Sequence, residues 1–368
     1  MRRGGAEKVA LTLVKTFPEA DFYTLCYKPE LTYEEFAKHT VHTSWFQRVA
    51  FNEKSMKALF YPLGIWAMKS LDLYGYDLVV ISTTFCSKYI KLNPKAVLIT
   101  YCHTPFRLAW YPETYQSLTK NPLLKFLMFR IVCPRLRAID KKYALRTNHF
   151  IANSAVTIKR IRECYTTKTP ITLLHPPVDV ESYTPNDAPK SYYLVVSRFQ
   201  PYKKVDLVID AFNGLNDKKL IIVGTGILEK ELKSKAGKNI TFTGSVNSDQ
   251  LQALYANCKA LIFPQMEDFG LTPLEANASG RPVIAFGQGG VVETMVPYKT
   301  DSSAFTALFF EEQTTNSLNE AIEKFESIEH IVDSRFIRNN AEQFGEKSFM
   351  SKMRSEAFTI YQQSRSGK

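Results

Sequence analysis

The sequence has no run of apolar residues approaching the roughly 20 that a helix needs to cross a bilayer. Its basic start, Met1-Arg2-Arg3, resembles that of a signal peptide, but Glu7 and Lys8 interrupt the apolar stretch that would have to follow. We therefore expect a cytoplasmic chain without a membrane-spanning helix.

Cysteine is also scarce, and no two of the six cysteines form a C-x-x-C pair. The sequence thus lacks the common zinc and redox motifs, and we expect no metal site. Free cysteine is among the most frequently buried residue types. We predict six reduced, mostly buried thiols at Cys26, Cys86, Cys102, Cys133, Cys164 and Cys258.

Acidic residues are few in the first half of the chain. Residues 1–188 hold 26 Lys and Arg against 15 Asp and Glu, whereas residues 189–368 hold 21 of each. The net charge of +11 therefore comes from the first half. Between Arg107 and Arg162, the only acids are Glu113 and Asp140. A one-sided basic surface predicts an anionic partner: a membrane, a phosphorylated lipid or a nucleic acid.

The chain length and the alternation of short apolar segments with helical patterns predict an α/β protein of two domains. In the first half we predict a helix at Ala6–Phe17 and buried parallel strands at Asp77–Ser82, Ala96–Tyr101 and His149–Ala152. A second doubly wound sheet follows. Its predicted strands are Tyr192–Ser197, Leu220–Val223, Ile240–Thr243, Ala260–Pro264 and Pro282–Ala285.

Proline and turn-forming residues between His175 and Pro189 predict a linker between these domains. We therefore place the first domain at 1–186 and the second at 187–345. Residues 346–368 form a predicted C-terminal helix that packs back on the first domain. Because open α/β sheets bind ligands at the carboxyl ends of their strands, the residues at those ends are the candidate site.

The first motif at a strand end is acidic and reads FPQMEDFGLTPLEANASG over residues 263–280. Glu267 lies in the predicted loop, and Glu275 lies about one turn into the predicted helix. Both carboxylates can accept hydrogen bonds from sugar hydroxyls, while Gly270 and the helix N-terminus favour an anion. The alternative is that Glu267 only caps the helix dipole and Glu275 is a solvated side chain.

A second motif places Arg198 directly after the strand at Tyr192–Ser197, with Lys203 five residues later. Two cations at the end of a sheet suit a diphosphate, which Arg binds bidentately and Lys binds as a point charge. An exposed basic turn is the alternative.

Glycines follow three further predicted strands, at Gly224-Thr225-Gly226, at Gly244-Ser245-Val246 and at residues 287–290. Such glycines permit close approach of a ligand to the backbone, although an isolated G-x-G is weak evidence for a binding site. Simple strand-to-helix turns are the alternative.

Taken together, these motifs resemble the retaining glycosyltransferases of family 4. The spacing of Glu267 and Glu275 is similar to the E-x7-E signature of that family, and the similarity spans nearly the whole chain. The resemblance implies the GT-B fold, in which two Rossmann-like doubly wound domains face each other across a cleft. The first domain would then bind the acceptor and the second the nucleotide sugar.

The resemblance also implies roles for individual residues of the second domain. Arg198 and Lys203 would bind the diphosphate, Glu275 the ribose, and Glu267 the hydroxyls of the donor sugar. The remaining donor-site residues implied are Gly224, Gly244, Ser245, Val246, Phe269, Gly270 and Leu271.

In the first domain, the resemblance implies that Gly4-Gly5 meets the donor phosphates and that His103 lies beside the transferred sugar. His103 would thus join Glu267, Arg198 and Lys203 in catalysis, and Arg107 would contact phosphate on the acceptor. Members of the family begin with a hydrophobic strand before the Gly-Gly loop. Only Met1–Arg3 precede Gly4 here, so we expect that strand to be missing.

A further segment, Pro122–Arg146, mixes large apolar residues with basic ones and is typical of binding to a membrane surface. The alternative is a set of core-facing apolar residues with a solvated basic face. We expect Pro134 to break this segment into two pieces.

The predicted function is transfer of a hexose, with mannose from GDP-mannose favoured, to a glycan or lipid-linked glycan. No cofactor is expected beyond this nucleotide-sugar donor. The alternatives are a nucleotide-sugar epimerase or hydrolase of the same fold, or an inactive membrane-associated scaffold. We expect peripheral contact with an anionic membrane and no binding of nucleic acid, because the motifs of nucleic-acid readers are missing.

Overall fold

The computed structural model describes residues 4–49, 63–113, 121–186, 191–300 and 302–366. It divides into two compact units, each built around its own parallel sheet. The first unit comprises Met1–Pro176 together with Phe349–Lys368, and the second comprises Pro177–Ser348. The predicted parallel α/β architecture is confirmed. The expected absence of a strand before Gly4 concerns residues outside the described ranges.

The second unit begins earlier than position 187, where we expected it. Val178, Val180 and Tyr183 are buried in its core, and the Val178 N–H donates to the Phe344 carbonyl at 2.9 Å. The proline-rich segment is therefore partly packed structure rather than a free linker, because its apolar residues pack in the core of the second unit.

The first unit contains eight strands in its described residues: β1 Phe22–Thr24, β2 Val41–Thr43, β3 Asp72–Leu73, β4 Leu78–Thr83, β5 Lys91–Leu92, β6 Val97–Cys102, β7 His149–Ala152 and β8 Ile171–Leu173. Four of them form a parallel sheet in the order β4-β6-β7-β8, and the others form two smaller pairs, β1-β2 and β3-β5. The strand β8 was not predicted, because its three residues are too few to show a pattern. The helices are Gly5–Thr16, Phe46–Val49, 63–69, Arg107–Trp110, Pro122–Leu127, Cys133–Ala144, Ala155–Tyr165 and Glu346–Ser366.

The C-terminal helix contributes to the core of this first unit. Its buried residues Phe349, Met353, Ala357 and Ile360 recur every three or four positions, which places them on one helical face. They share a cluster with apolar side chains of β6, of β7 and of the helix Gly5–Thr16.

The helical run from Pro122 to Ala144 continues through Pro134 without a break, contrary to our expectation. Residues Met128–Val132 form a π-helical turn immediately before the proline. This wider turn accommodates a residue that lacks an N–H and whose ring would collide with the carbonyl four residues back. We call the run from Pro122 to Ala144 the basic helix.

The second unit has a six-stranded parallel sheet built from β9 Tyr192–Val196, β10 Lys219–Val223, β11 Ile240–Gly244, β12 Leu261–Phe263, β13 Val283–Phe286 and β14 Ala307–Phe310. Their order across the sheet is β11-β10-β9-β12-β13-β14. Numbered within this sheet, the order is 3-2-1-4-5-6, so the direction of winding reverses between β9 and β12. The helices are Val205–Asn213, Glu229–Lys235, Ser248–Asn257, Leu271–Ala278, Val291–Thr294, Thr315–Ile328 and Ser334–Glu342.

Two further predictions can be compared with the structure. All six cysteines are free and buried, which confirms the expected thiols. No helix in the described part of the chain has the length and apolar character needed to cross a membrane.

Candidate functional site

The point where the winding reverses in the second sheet brings two loops together. The basic turn, residues 197–204, follows β9, and the acidic loop, residues 264–270, follows β12. The Lys203 ammonium forms an ion pair with Oε1 of Glu267, and both side chains are largely buried. In doubly wound sheets this reversal opens the crevice in which ligands bind.

The acidic loop passes into the helix Leu271–Ala278 through Gly270. This residue has a φ of +90°, and a Cβ there would lie 3.0 Å from Cζ of Phe263. Glycine alone accommodates both the backbone conformation and the close packing. The helix Leu271–Ala278 therefore begins four residues after Glu267, and the positive end of its dipole favours an anion at its N-terminus.

The glycine loop, residues 287–290 after β13, packs directly on the acidic loop. The Gly290 N–H donates to the Glu267 carbonyl at 2.9 Å. A Cβ at Gly289 would lie 2.5 Å from that same carbonyl oxygen, and one at Gly290 would collide with the backbone of Asp268 and Phe269. These glycines thus fix the backbone that carries Glu267.

Replacing Gly290 by alanine is expected to lower the free energy of unfolding by about 1–3 kcal/mol, as overpacking typically does. Differential scanning calorimetry of the purified chain measures this change. Gly75→Ala is the control, because no atom of the described residues, its chain neighbours aside, lies within 4 Å of a Cβ built at Gly75. Equal stability of the two variants would contradict the proposed packing of the glycine loop.

Glu275 lies in the second turn of the helix Leu271–Ala278 and is half-buried. Its Oε2 accepts a hydrogen bond of 2.9 Å from the hydroxyl of Tyr255, a fully buried residue. Burial, reinforced by the nearby Glu275 carboxylate, raises the pKa of Tyr255 well above its ordinary value. The tyrosine therefore remains a neutral donor that fixes the orientation of Glu275.

The glycines after β10, Gly224 and Gly226, allow their loop to pack closely against the backbone of the basic turn. The Phe199 N–H donates to the Thr225 carbonyl at 3.0 Å, and a Cβ at Gly226 would lie 2.5 Å from the Phe199 carbonyl oxygen. Gly224 likewise has no room for a Cβ beside the Ser197 carbonyl. The loop after β10 therefore supports the basic turn, while the Arg198 side chain stays exposed.

The remaining predicted donor-site residues of the second unit lie at neighbouring strand ends. Gly244 ends β11 with a φ of +72°, and a Cβ built there has no neighbour within 4 Å in the described part of the chain beyond the adjoining residues. Ser245 after it is exposed. Val246 is half-buried against the core, Phe269 is buried, and Leu271 begins its helix.

In the first unit, His103 follows β6 and is 8% exposed. Its Nε2 lies 2.9 Å from Oγ of Ser82, which is near the end of the adjacent strand β4. Its carbonyl accepts a bond of 3.3 Å from Oγ1 of Thr157. Ser82 was not identified from the sequence, although its place near the end of a predicted strand was a usable signal.

Two other predicted positions of the first unit lie at helix N-termini. Gly4 precedes the helix Gly5–Thr16 in an extended conformation, and its carbonyl accepts a bond of 3.4 Å from the Tyr33 hydroxyl. Arg107 begins the short helix Arg107–Trp110.

The first unit also contains a buried charged cluster that we did not predict from the sequence, and we call it the Asp140 cluster. Asp140 is fully buried and accepts bonds from Lys88 at 2.7 Å, Tyr89 at 3.0 Å, Trp110 at 2.9 Å and Tyr165 at 3.0 Å. The sequence feature that could have indicated this cluster is Asp140 itself, an isolated acid in an otherwise basic segment. The cluster attaches the basic helix to the loops that follow β4 and β6.

No group of three or more His, Cys, Asp or Glu side chains suited to a metal ion occurs within the described ranges.

Comparison with known proteins matches both halves of the chain to family models. Residues 3–182 match Glycosyltransferase Family 4, and residues 183–344 match Glycosyl transferases group 1. The α-1,3/1,6-mannosyltransferase ALG2 of Dictyostelium discoideum is 26% identical over 345 residues, which cover 81% of this chain and 82% of that protein.

Solved structures show the same fold at low sequence identity. HepE of Anabaena in complex with UDP has a TM-score of 0.69 at 16% identity, covering 97% of this chain and 96% of that one. Sucrose-phosphate synthase of Thermosynechococcus elongatus has a TM-score of 0.71 at 16% identity, covering 98% and 92%. The predicted GT-B fold is thereby confirmed.

Proposed function

Because this chain belongs to the glycosyltransferases, with a family 4 domain followed by a group 1 domain, we propose that it transfers mannose from GDP-mannose. The acceptor is a glycan or a lipid-linked glycan, and the anomeric configuration is retained. The similar protein of Dictyostelium is named a mannosyltransferase, which supports the choice of sugar. The complex of HepE with UDP supports a nucleotide ligand for this fold.

The observation that carries the proposal is the ion pair between Lys203 and Glu267 beside a helix N-terminus. Lys203, Arg198 and the helix after Gly270 neutralise the charge that develops on the departing nucleoside diphosphate. Because these groups are cationic or dipolar, they supply the stabilisation that a divalent ion would otherwise give.

The two carboxylates hold the donor at either side of its diphosphate. Glu267 accepts hydrogen bonds from hydroxyls of the transferred sugar, and Glu275 accepts from the ribose. In the first unit, His103 lies beside the transferred sugar, Gly4-Gly5 meets the donor phosphates and Arg107 contacts phosphate of the acceptor. The departing phosphate assists attack on the same face of the sugar.

A donor screen that measures nucleoside diphosphate release with and without a glycan acceptor tests this function. We expect release from GDP-mannose that depends on the acceptor. Release that is equal without acceptor would indicate a hydrolase, and a preference for another nucleotide sugar would overturn the choice of donor.

We also propose that the basic helix contacts an anionic membrane at the inner face of the cell. Asp140, the only acid of this helix, points into the core, so the outer face is apolar and basic. Arg130 and Arg135 are exposed on it. Six large apolar side chains are 37–63% exposed: Leu123, Leu124, Phe126, Leu127, Ile131 and Val132.

Phe126→Ser is expected to weaken binding to vesicles that contain anionic lipid by about tenfold or more, since burying a phenylalanine contributes about 1.5–3 kcal/mol. Vesicle co-sedimentation at constant lipid concentration measures the effect. Phe358→Ser is the matched control, because Phe358 is also exposed, at 45% against 56% for Phe126, but lies on the C-terminal helix. Equal binding of both variants to the vesicles would show that the basic helix does not contact the membrane.

A further inference from the structure

Gln265 is a buried amide next to the acidic carboxylate of the site, and no role follows for it from the motifs. It is the first residue after Pro264 in the acidic loop and is 2% exposed. Its Nε2 donates a hydrogen bond of 2.8 Å to Oε1 of Glu267. The oxygen that accepts this bond is the one that is paired with Lys203.

Glu267 Oε1 therefore accepts from two donors of different kinds, the charged Lys203 ammonium and the neutral Gln265 amide. In the proposed reaction, the Lys203 ammonium interacts with the donor diphosphate. When it does so, the Gln265 amide is a donor that continues to orient the Glu267 carboxylate. The carboxylate then keeps the orientation in which it accepts from a sugar hydroxyl in the proposed reaction.

The orientation of the Gln265 amide is dictated by its neighbour. A carboxylate only accepts hydrogen bonds, so the amide nitrogen must face Glu267. The Gln265 Oε1 atom is consequently buried without a hydrogen-bond partner in the described part of the chain. A buried acceptor without a partner destabilises the fold. An apolar side chain at this position would avoid the destabilising effect of this unpaired oxygen.

We propose that Gln265 is a positioning residue, which keeps Glu267 oriented toward the donor sugar while Lys203 moves to the diphosphate. This inference rests on the proposed function of the site. It adds a residue that acts through Glu267 and does not itself touch the substrate.

The first test is Gln265→Met, which keeps the length of the side chain but removes both polar atoms. We expect kcat to fall by about tenfold to a hundredfold, the value of one hydrogen bond to a charged group. The KM for the donor should change less, and the thermal stability should stay equal or rise because the orphaned oxygen is gone. Gln313→Met is the matched control, since its amide donates to the Pro264 carbonyl at 2.7 Å, and its kcat should stay within about threefold of the parent.

A second variant, Gln265→Glu, separates positioning from packing through its pH profile. At neutral pH the introduced carboxylate repels Glu267, and kcat should fall below that of Gln265→Met. As the pH is lowered, the introduced carboxyl group becomes protonated and can again donate to Glu267, so activity relative to Gln265→Met should recover. A merely structural role predicts no such recovery, and its absence would overturn the inference.

The inference about Gln265 would also be overturned if the kcat of Gln265→Met were unchanged, or if it fell only in proportion to a loss of thermal stability. A double-mutant cycle in urea unfolding with Glu267→Ala, which removes the accepting oxygen, tests the contact independently of turnover. Additive stability changes would refute the Gln265–Glu267 coupling even if the parent is active. Failure of the parent chain with every nucleotide sugar would instead overturn the proposed function.

Discussion

Replacing Lys203 by alanine is expected to lower kcat for sugar transfer by about a hundredfold to a thousandfold, the range found when one preorganised donor to developing charge is removed. The ammonium lies at the point where the second sheet reverses its winding, beside the helix that begins at Leu271. Its loss removes positive charge where the diphosphate gains negative charge. It also leaves the Glu267 carboxylate with the Gln265 amide but without its cation.

Lys204→Ala is the matched control for this experiment. Lys204 is the next residue along the chain and has a φ of +53°, a conformation that strains lysine and alanine alike. Its replacement removes the same charge from the same turn, and kcat should change little. Steady-state kinetics with saturating donor, together with circular dichroism to verify folding, measures both variants. Near-normal turnover of Lys203→Ala would contradict the site as we describe it.

The Asp140 cluster carries the largest expected effect on stability. Asp140→Asn is expected to lower the free energy of unfolding of the first unit by about 3–5 kcal/mol, because it leaves a buried ammonium without its counter-charge. Lys88, whose side chain is 3% exposed, cannot reach water without disrupting the core. Adding Lys88→Met to Asp140→Asn should restore a large part of the loss, since the unpaired charge is then removed.

Urea unfolding followed by tryptophan fluorescence measures this change in the first unit specifically. All three tryptophans, Trp45, Trp66 and Trp110, belong to that unit. Asp77→Asn is the control, because the Asp77–Arg365 pair lies in the same unit and has the same 2.7 Å separation but is exposed. An exposed pair adds little stability, so we expect no measurable change. A similar absence of effect in Asp140→Asn would show that the cluster does not stabilise the fold.

The second sheet could be predicted well from the sequence because its central strands are buried on both faces. Such strands appear as continuous apolar runs, as at Tyr192–Val196 and Val283–Phe286. Its edge strand Ala307–Phe310 was missed, since four apolar residues without a strong flanking signal do not distinguish a strand from a loop.

Contacts between distant residues were the part that the sequence could not reveal. Lys203 and Glu267 are 64 positions apart, and Lys88 and Asp140 are 52 apart. Local spacing could assign each residue to a strand end or a helix. It could not predict that Gln265 would share an oxygen with Lys203, because that depends on how two loops meet in space.

The assignment of Phe349–Lys368 to the first unit has a consequence for synthesis of the protein. The apolar side chains of β6 and β7 that Phe349 and Met353 cover stay open to solvent while the whole second unit is translated. The first unit therefore completes its core only after the second unit has been translated, once the helix Glu346–Ser366 has been made.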